Sequence, residues 1–239
     1  MNALASPEVG KFINEYFSSS YQKVATFKIV NGQKQGGNVA TYFCSPDGRV
    51  LHCIAGPVNA ATFLREAKWV VEKTKQGIAE AKGDGGKFKA FVRKAHAQKL
   101  QEDTGLNVEA VTFDPPEAQH EGDALTYWDP SGRALAPKLP PPPIDGPDVR
   151  LEIAEFNRRQ TAEAKNAGAA PVMDNRGRRH VLGNEGRVHQ IMAAHAMVKL
   201  EIVYGTIFEN ILGEKISTKP VEVATPFTWV NKKGERIRE

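Results

Sequence analysis

Cys44 and Cys53 carry the most reactive side-chain type in this 239-residue chain, and His52 adjoins one of them. A thiol becomes a useful nucleophile or electron carrier when a helix N-terminus, or a second thiol at Cys-x-x-Cys spacing, lowers its pKa. That spacing does not occur here. Both cysteines fall in apolar, strand-like runs, 39–44 and 49–54, so the simpler reading is a pair of small buried hydrophobes. The competing one makes Cys44 or Cys53 a reactive or metal-binding thiol with His52 as its sequence-adjacent partner. Two cysteines by themselves complete neither a disulfide framework nor a four-ligand zinc site.

The histidines and charged clusters offer less. His189 and His195 stand six apart in a helical pattern, about 600° of rotation, and do not share the stripe that an i, i+4 metal pair occupies. Glu185 and His189 do have helical spacing, but such a carboxylate–imidazole pair is commonly a surface feature. His195, on the apolar stripe, reads as a core or interface histidine. Neither a Gly-x-x-x-x-Gly-Lys-Ser/Thr phosphate loop nor a Gly-x-Ser-x-Gly nucleophile turn is present. Gly83-Asp84-Gly85-Gly86-Lys87 follows a helix rather than a strand and reads as a linker. Arg176, Arg178 and Arg179, with His180, form a compact basic turn that could grip a phosphate or an acidic partner, although solvated turn charges are the commoner explanation. Asp114, Glu117, Glu121, Asp123 and Asp129 lack the loop spacing of a calcium site. These patterns assign no catalytic group, no metal ligands and no cofactor.

The elements that would carry these residues follow from pattern and punctuation. Ser6-Pro7-Glu8-Val9 opens an amphipathic helix that ends near Phe17. Lys23–Val30 reads as a strand stopped by Asn31-Gly32, with a polar loop over 33–38. Ser45-Pro46-Asp47-Gly48 predicts a type I turn leading into a bulge, the strongest hairpin signal in the chain. In that register Cys44 faces Val50, and alternation puts Cys53 on the opposite face. A two-residue turn at Asp47-Gly48 would instead place both thiols on one face, on a diagonal too long for an easy disulfide. Asn59 caps a helix with Phe63, Ala67 and Val70 inward. A basic helix over about 88–100, a short strand at 108–113 and a four-proline extended spacer at 140–143 come next. Asp148 caps a helix toward Asn166. The longest helical pattern spans 184–212 and stops at Gly213, and 228–237 reads as a last hairpin.

The run Gly37-Asn38-Val39-Ala40-Thr41-Tyr42-Phe43-Cys44-Ser45-Pro46-Asp47-Gly48-Arg49-Val50, followed by Ile54-Ala55-Gly56 and a long helix, resembles the second half of a thioredoxin-like domain. Ser6-Pro7-Glu8-Val9 through Asn14-Glu15-Tyr16-Phe17 is similar to the part of that family's first helix just past its redox motif. The resemblance covers about the first third of the chain. It implies an α/β fold with a degenerate or N-terminally truncated thioredoxin-like sheet over 1–82, joined through a basic helix and an acidic, proline-rich segment (83–147) to a mainly helical region (148–239). It also implies that Val39 stands at the family's cis-proline position, and that a central strand is missing. Residues 23–30, residues 108–113 or a second chain would have to supply that strand.

Charge refines the expected partners. The 32 basic and 28 acidic residues nearly balance, yet 65–100 holds ten basic and four acidic residues while 101–135 holds one and eight. Neighbouring blocks of opposite sign can neutralise each other, which argues against nucleic acid. No apolar run approaches membrane-spanning length, and no leader pattern opens the sequence, so a soluble protein is expected, cytoplasmic by default and secreted or periplasmic if a leader upstream is missing. Without Cys-x-x-Cys the chain reads as a redox-inactive scaffold or interaction module, with a protein partner or self-association left open. The alternative is a thiol–disulfide oxidoreductase whose Cys-x-x-Cys half lies elsewhere.

Overall fold

The computed structural model describes residues 3–21, 27–30, 33–36, 38–108, 139, 141–147, 171–214 and 222–224. The helix expected at 148–166, the hairpin at 228–237, the acidic residues of 114–129 and the strand expected beyond 108 lie outside them. Among the described residues five α-helices occur: α1 (Pro7–Tyr16), α2 (Ala60–Ala81), α3 (Gly85–Thr104), α4 (Asn184–His195) and α5 (Leu200–Thr206), the last continued by a π-helical turn, Ile207–Ile211. The strands are β1 (Phe27–Val30), β2 (Gln33–Gly36), β3 (Ala40–Cys44), β4 (Val50–Ala55), β5 (Leu106–Val108), β6 (Ile144–Pro147), β7 (Pro171–Met173), β8 (Arg179–Val181) and β9 (Glu222–Ala224). β3–β4, β5–β6 and β7–β8 pair antiparallel, and β1 lies between antiparallel β2 and parallel β9. The class is mixed α/β.

Local chemistry sets the helix ends. Asn59 Oδ1 accepts the Thr62 N–H at 2.8 Å and starts α2. Lys82 (φ 48°) and Gly83 (φ 87°) end it in left-handed geometry, and Asp84 Oδ1 accepts from Lys87 N at 3.0 Å to start α3 at once. α2 and α3 meet closely at Gly77, where a Cβ would lie 2.7 Å from a Phe91 ring carbon and 2.9 Å from one of Phe88. α4 packs against both α3 and β4. The main core draws Val9, Phe43, Val70, Val92, Leu139, Val188 and Val203 into one cluster, so α1, the β3–β4 hairpin and the helices on either side of the proline run share it. A smaller cluster of Leu100, Leu106, Ile144 and Leu182 closes the end of α3.

Five expectations are corrected. The single helix over 184–212 is broken after His195: Met197 takes a left-handed φ of 68°. The chain there bonds to the hairpin instead, Val50 N to Val198 O at 2.9 Å, Met197 N to Val50 O at 2.7 Å and Leu200 N to Gly48 O at 3.1 Å. An exposed strand edge needs backbone partners, and this segment supplies them. Among the described residues, neither 27–30 nor 106–108 pairs with β4: β1 pairs with β2 and β9, and β5 with β6. Part of the polar loop at 33–38 is strand β2. The proline run is no mere spacer, because Pro142 is buried and its carbonyl accepts from Gln190 Nε2 at 3.0 Å, while Leu139 N donates to Thr206 Oγ1 at 3.0 Å.

The fifth correction concerns the hairpin register. Gly48 N bonds to Ser45 O at 2.9 Å and Cys44 pairs with Val50, as the turn predicts. One residue further the ladder slips: Phe43 pairs with His52, and Tyr42 with Cys53, leaving Leu51 without a Cα partner. A one-residue slip exchanges the two faces of a strand beyond it. Cys53 therefore stands across from Tyr42 on the Cys44 side, and His52 lies with the buried Phe43, their rings stacked at 6.1 Å.

A candidate metal centre

The slip in β4 turns His52 toward two other buried imidazoles, His96 of α3 and His189 of α4, with ring centroids 5.0–5.4 Å apart. Glu66 of α2 completes the group. Its carboxylate is buried, with Oε2 at 3.3 Å from His52 Nε2 and 3.9 Å from His189 Nε2. Trp69, one helical turn beyond Glu66, sets its indole edgewise against all three imidazoles at 4.9–5.3 Å.

Hydrogen bonding fixes which nitrogens carry protons. His96 Nε2 lies 2.8 Å from the carbonyl oxygen of Leu51, the residue left over at the slip, and can only donate to it. His96 Nδ1 lies 2.8 Å from His189 Nδ1. Burial holds His96 well below the ordinary histidine range, so it is neutral and its Nδ1 is an acceptor. His189 then donates from Nδ1 and presents a bare lone pair at Nε2, toward Glu66. Burial likewise lowers His189, to about 4, against the pull of Glu66. A hydrogen bond that orients an imidazole from behind, as His96 does here, is typical of metal-binding histidines.

The carboxylates are arranged as deliberately. Arg65 Nε donates to Glu66 Oε1 at 2.7 Å, which leaves Oε2 as the oxygen facing the imidazoles. The same guanidinium holds both oxygens of Glu185 at 2.7–2.8 Å. Burial alone would raise Glu66; the contacts to His189, His52 and Arg65 outweigh it and hold the carboxyl well below its usual range. Glu185 is pushed up to about 7 by burial and by the Glu66 charge beside it. Among the described residues, Glu66 Oε2, His189 Nε2 and both ring nitrogens of His52 are buried without a hydrogen-bond partner. Glu66, Glu185 and His189 each offer a ligand atom within 4.8 Å of the others, as do the three imidazoles. His96, with both nitrogens engaged, positions rather than ligates.

A cavity of about 720 Å³ opens against this group, with His52, Glu66 and Glu185 on one wall and Arg187, Asn210 and Ile211 on another. The second wall includes the end of the π-helical turn, a distortion frequent at functional sites. Arg187 Nη1 donates to Ile211 O at 3.2 Å and Nη2 to Asn210 O. Burial lowers the pKa of this guanidinium.

The residues singled out from sequence fall elsewhere. Cys44 is half-buried and its thiol is pushed up to about 11, by burial first and by Asp47 and Glu201 next; Cys53 is fully buried and also raised. Both are free thiols. Val39 is exposed, and its carbonyl accepts from Gly56 N at 2.8 Å. In the basic turn a buried Asp174 accepts from Arg176 N, Arg178 N, Arg178 Nε and His180 Nε2 at 2.8–2.9 Å, so Arg178 turns inward while Arg176 and Arg179 stay exposed. His195 is buried, as its stripe implies. His189, expected at the surface, is buried at the centre of the site. Glu66 and His96 were not singled out from sequence, although each interrupts an apolar stripe: Glu66 among Phe63, Ala67 and Val70, His96 between Val92 and Leu100. No protein-family model, curated protein or solved structure matches this chain.

Proposed function

We propose that this chain binds one divalent transition-metal ion, zinc or ferrous iron, through His52 Nε2, Glu66 Oε2 and His189 Nε2, with the cavity as the side from which a ligand reaches it. One observation carries the reading: buried ring and carboxylate atoms converge from three elements with no hydrogen bond among them. Each orphaned polar atom costs about 1–3 kcal/mol, and a cation would satisfy all three at once. Two donors about 2.1 Å from a tetrahedral ion lie about 3.4 Å apart. The 3.3 Å and 3.9 Å separations to Glu66 Oε2 are near that value. Two imidazoles and a carboxylate form a donor set of catalytic rather than structural centres, because they leave coordination positions open. Such an ion supplies Lewis acidity and can lower the pKa of a coordinated water to about 7.

The test is a titration of chelator-treated protein with cobalt(II), followed by its visible absorption. One equivalent should bind and be displaced by zinc, and His52→Ala and Glu66→Gln should each weaken binding at least tenfold while keeping the far-ultraviolet dichroism. No saturable uptake by the wild type, or unchanged affinity in both folded variants, overturns the reading.

A redox-inert, thioredoxin-like scaffold or interaction module is the second reading. The β3–β4–α2 succession supports the resemblance, and two thiols with raised pKa values support inertness. Catalytic reduction of insulin by the purified chain would replace it with the oxidoreductase alternative.

A further inference from the structure

The charged side chains lining the cavity are Arg65, Arg187, Glu66 and Glu185, two of each sign. Arg65 is matched with both glutamates by direct hydrogen bonds. Among the described residues Arg187 has no such match: its hydrogen bonds go to the neutral carbonyls of Asn210 and Ile211. Those use two of the five N–H donors of a guanidinium and leave three in a planar fork. A partly buried cation held only by neutral groups is costly until an anion joins it. With both glutamates ionised the wall sums to zero without a metal ion, and a divalent ion on the three donors would bring it to +2.

We propose that the cavity takes a small oxyanion-bearing ligand, its phosphate or carboxylate oxygens lying between the metal position and the Arg187 fork. The inference rests on the metal reading for one pole and on Arg187 for the other. Planar, paired donors of this kind suit phosphate and carboxylate geometry, whereas a neutral ligand would leave the net charge of the loaded wall unanswered.

The experiment measures inorganic phosphate binding to zinc-loaded, desalted protein by calorimetry, after zinc uptake has been established separately. The wild type should bind phosphate saturably, and Arg187→Met should bind it at least tenfold more weakly with its zinc affinity unchanged. Phosphate should also raise the melting temperature of the loaded wild type, and glycerol at equal concentration should not, a comparison that stands if the variant does not fold. Zinc uptake without phosphate binding, equal phosphate affinity in Arg187→Met, or equal stabilisation by phosphate and glycerol overturns the anion site and leaves the metal reading standing. Failure to take up zinc at all overturns the metal reading, and this proposal with it.

Discussion

His96 donates to a backbone carbonyl and accepts from His189, and in doing so it decides what His189 can do. Replacing it with alanine should leave one zinc equivalent bound but weaken it about 10- to 100-fold, the usual size of a lost orienting partner, as read by competition with a chromophoric chelator. Acid should also be felt at this point. His189, at about 4 in the fold against 6.5 in the unfolded chain, refuses a proton that the unfolded chain accepts. The fold is at full strength above the unfolded value, and metal-free protein loses roughly 3 kcal/mol through this residue as pH falls from 6.5 to 4. Glu185, raised to about 7, works the other way: its protonation as pH falls toward 4.5 favours the fold. Glu185→Gln should therefore show a steeper acid loss than the wild type in urea unfolding at pH 7 and pH 4.5. Glu66 and His96 were visible in the sequence only as polar interruptions of apolar stripes. Such an interruption says that a group is buried; it does not say which buried groups meet.

The hairpin shows where sequence signals run out between neighbouring elements. Pro46 and Gly48 announce the turn, and Asn59 announces a helix start, because those preferences are local; Asp84, read as part of a linker, caps α3. The slip at Leu51 and the break at Ala196–Lys199 are not local. Each depends on a partner far along the chain, His96 for the freed carbonyl and β4 for the unwound segment. Periodicity over 184–212 could not reveal a left-handed Met197. Packing between α2 and α3 gives a direct test. Gly77→Val must push aside the Phe88 and Phe91 rings and should cost about 1–3 kcal/mol in urea unfolding. Phe208→Ala, in the π-helical turn, should cost about 3–5 kcal/mol, since Phe208 is buried with Tyr204 in a cluster flanked by Ala40, Tyr42, Leu200 and Leu212.

Across the molecule, one core gathers residues from near the start of the chain to Ile211, and the candidate metal centre lies where β4, α2, α3 and α4 come together. No helix among the described residues is long and apolar enough to cross a membrane. The two thiols lie outside the proposed coordination set, so Cys44→Ser and Cys53→Ala should leave zinc affinity unchanged and lower stability only modestly, about 1 kcal/mol each. A shift in zinc affinity in either variant would bring the thiols into the site. Trp69 adds a property of its own. An indole held edge-on to three imidazoles at 4.9–5.3 Å is within quenching distance of anything that changes their charge. The protein thus carries an intrinsic fluorophore at its centre, and the emission of that one ring should dim with cobalt and shift with zinc, an optical signal of occupancy that needs no added label.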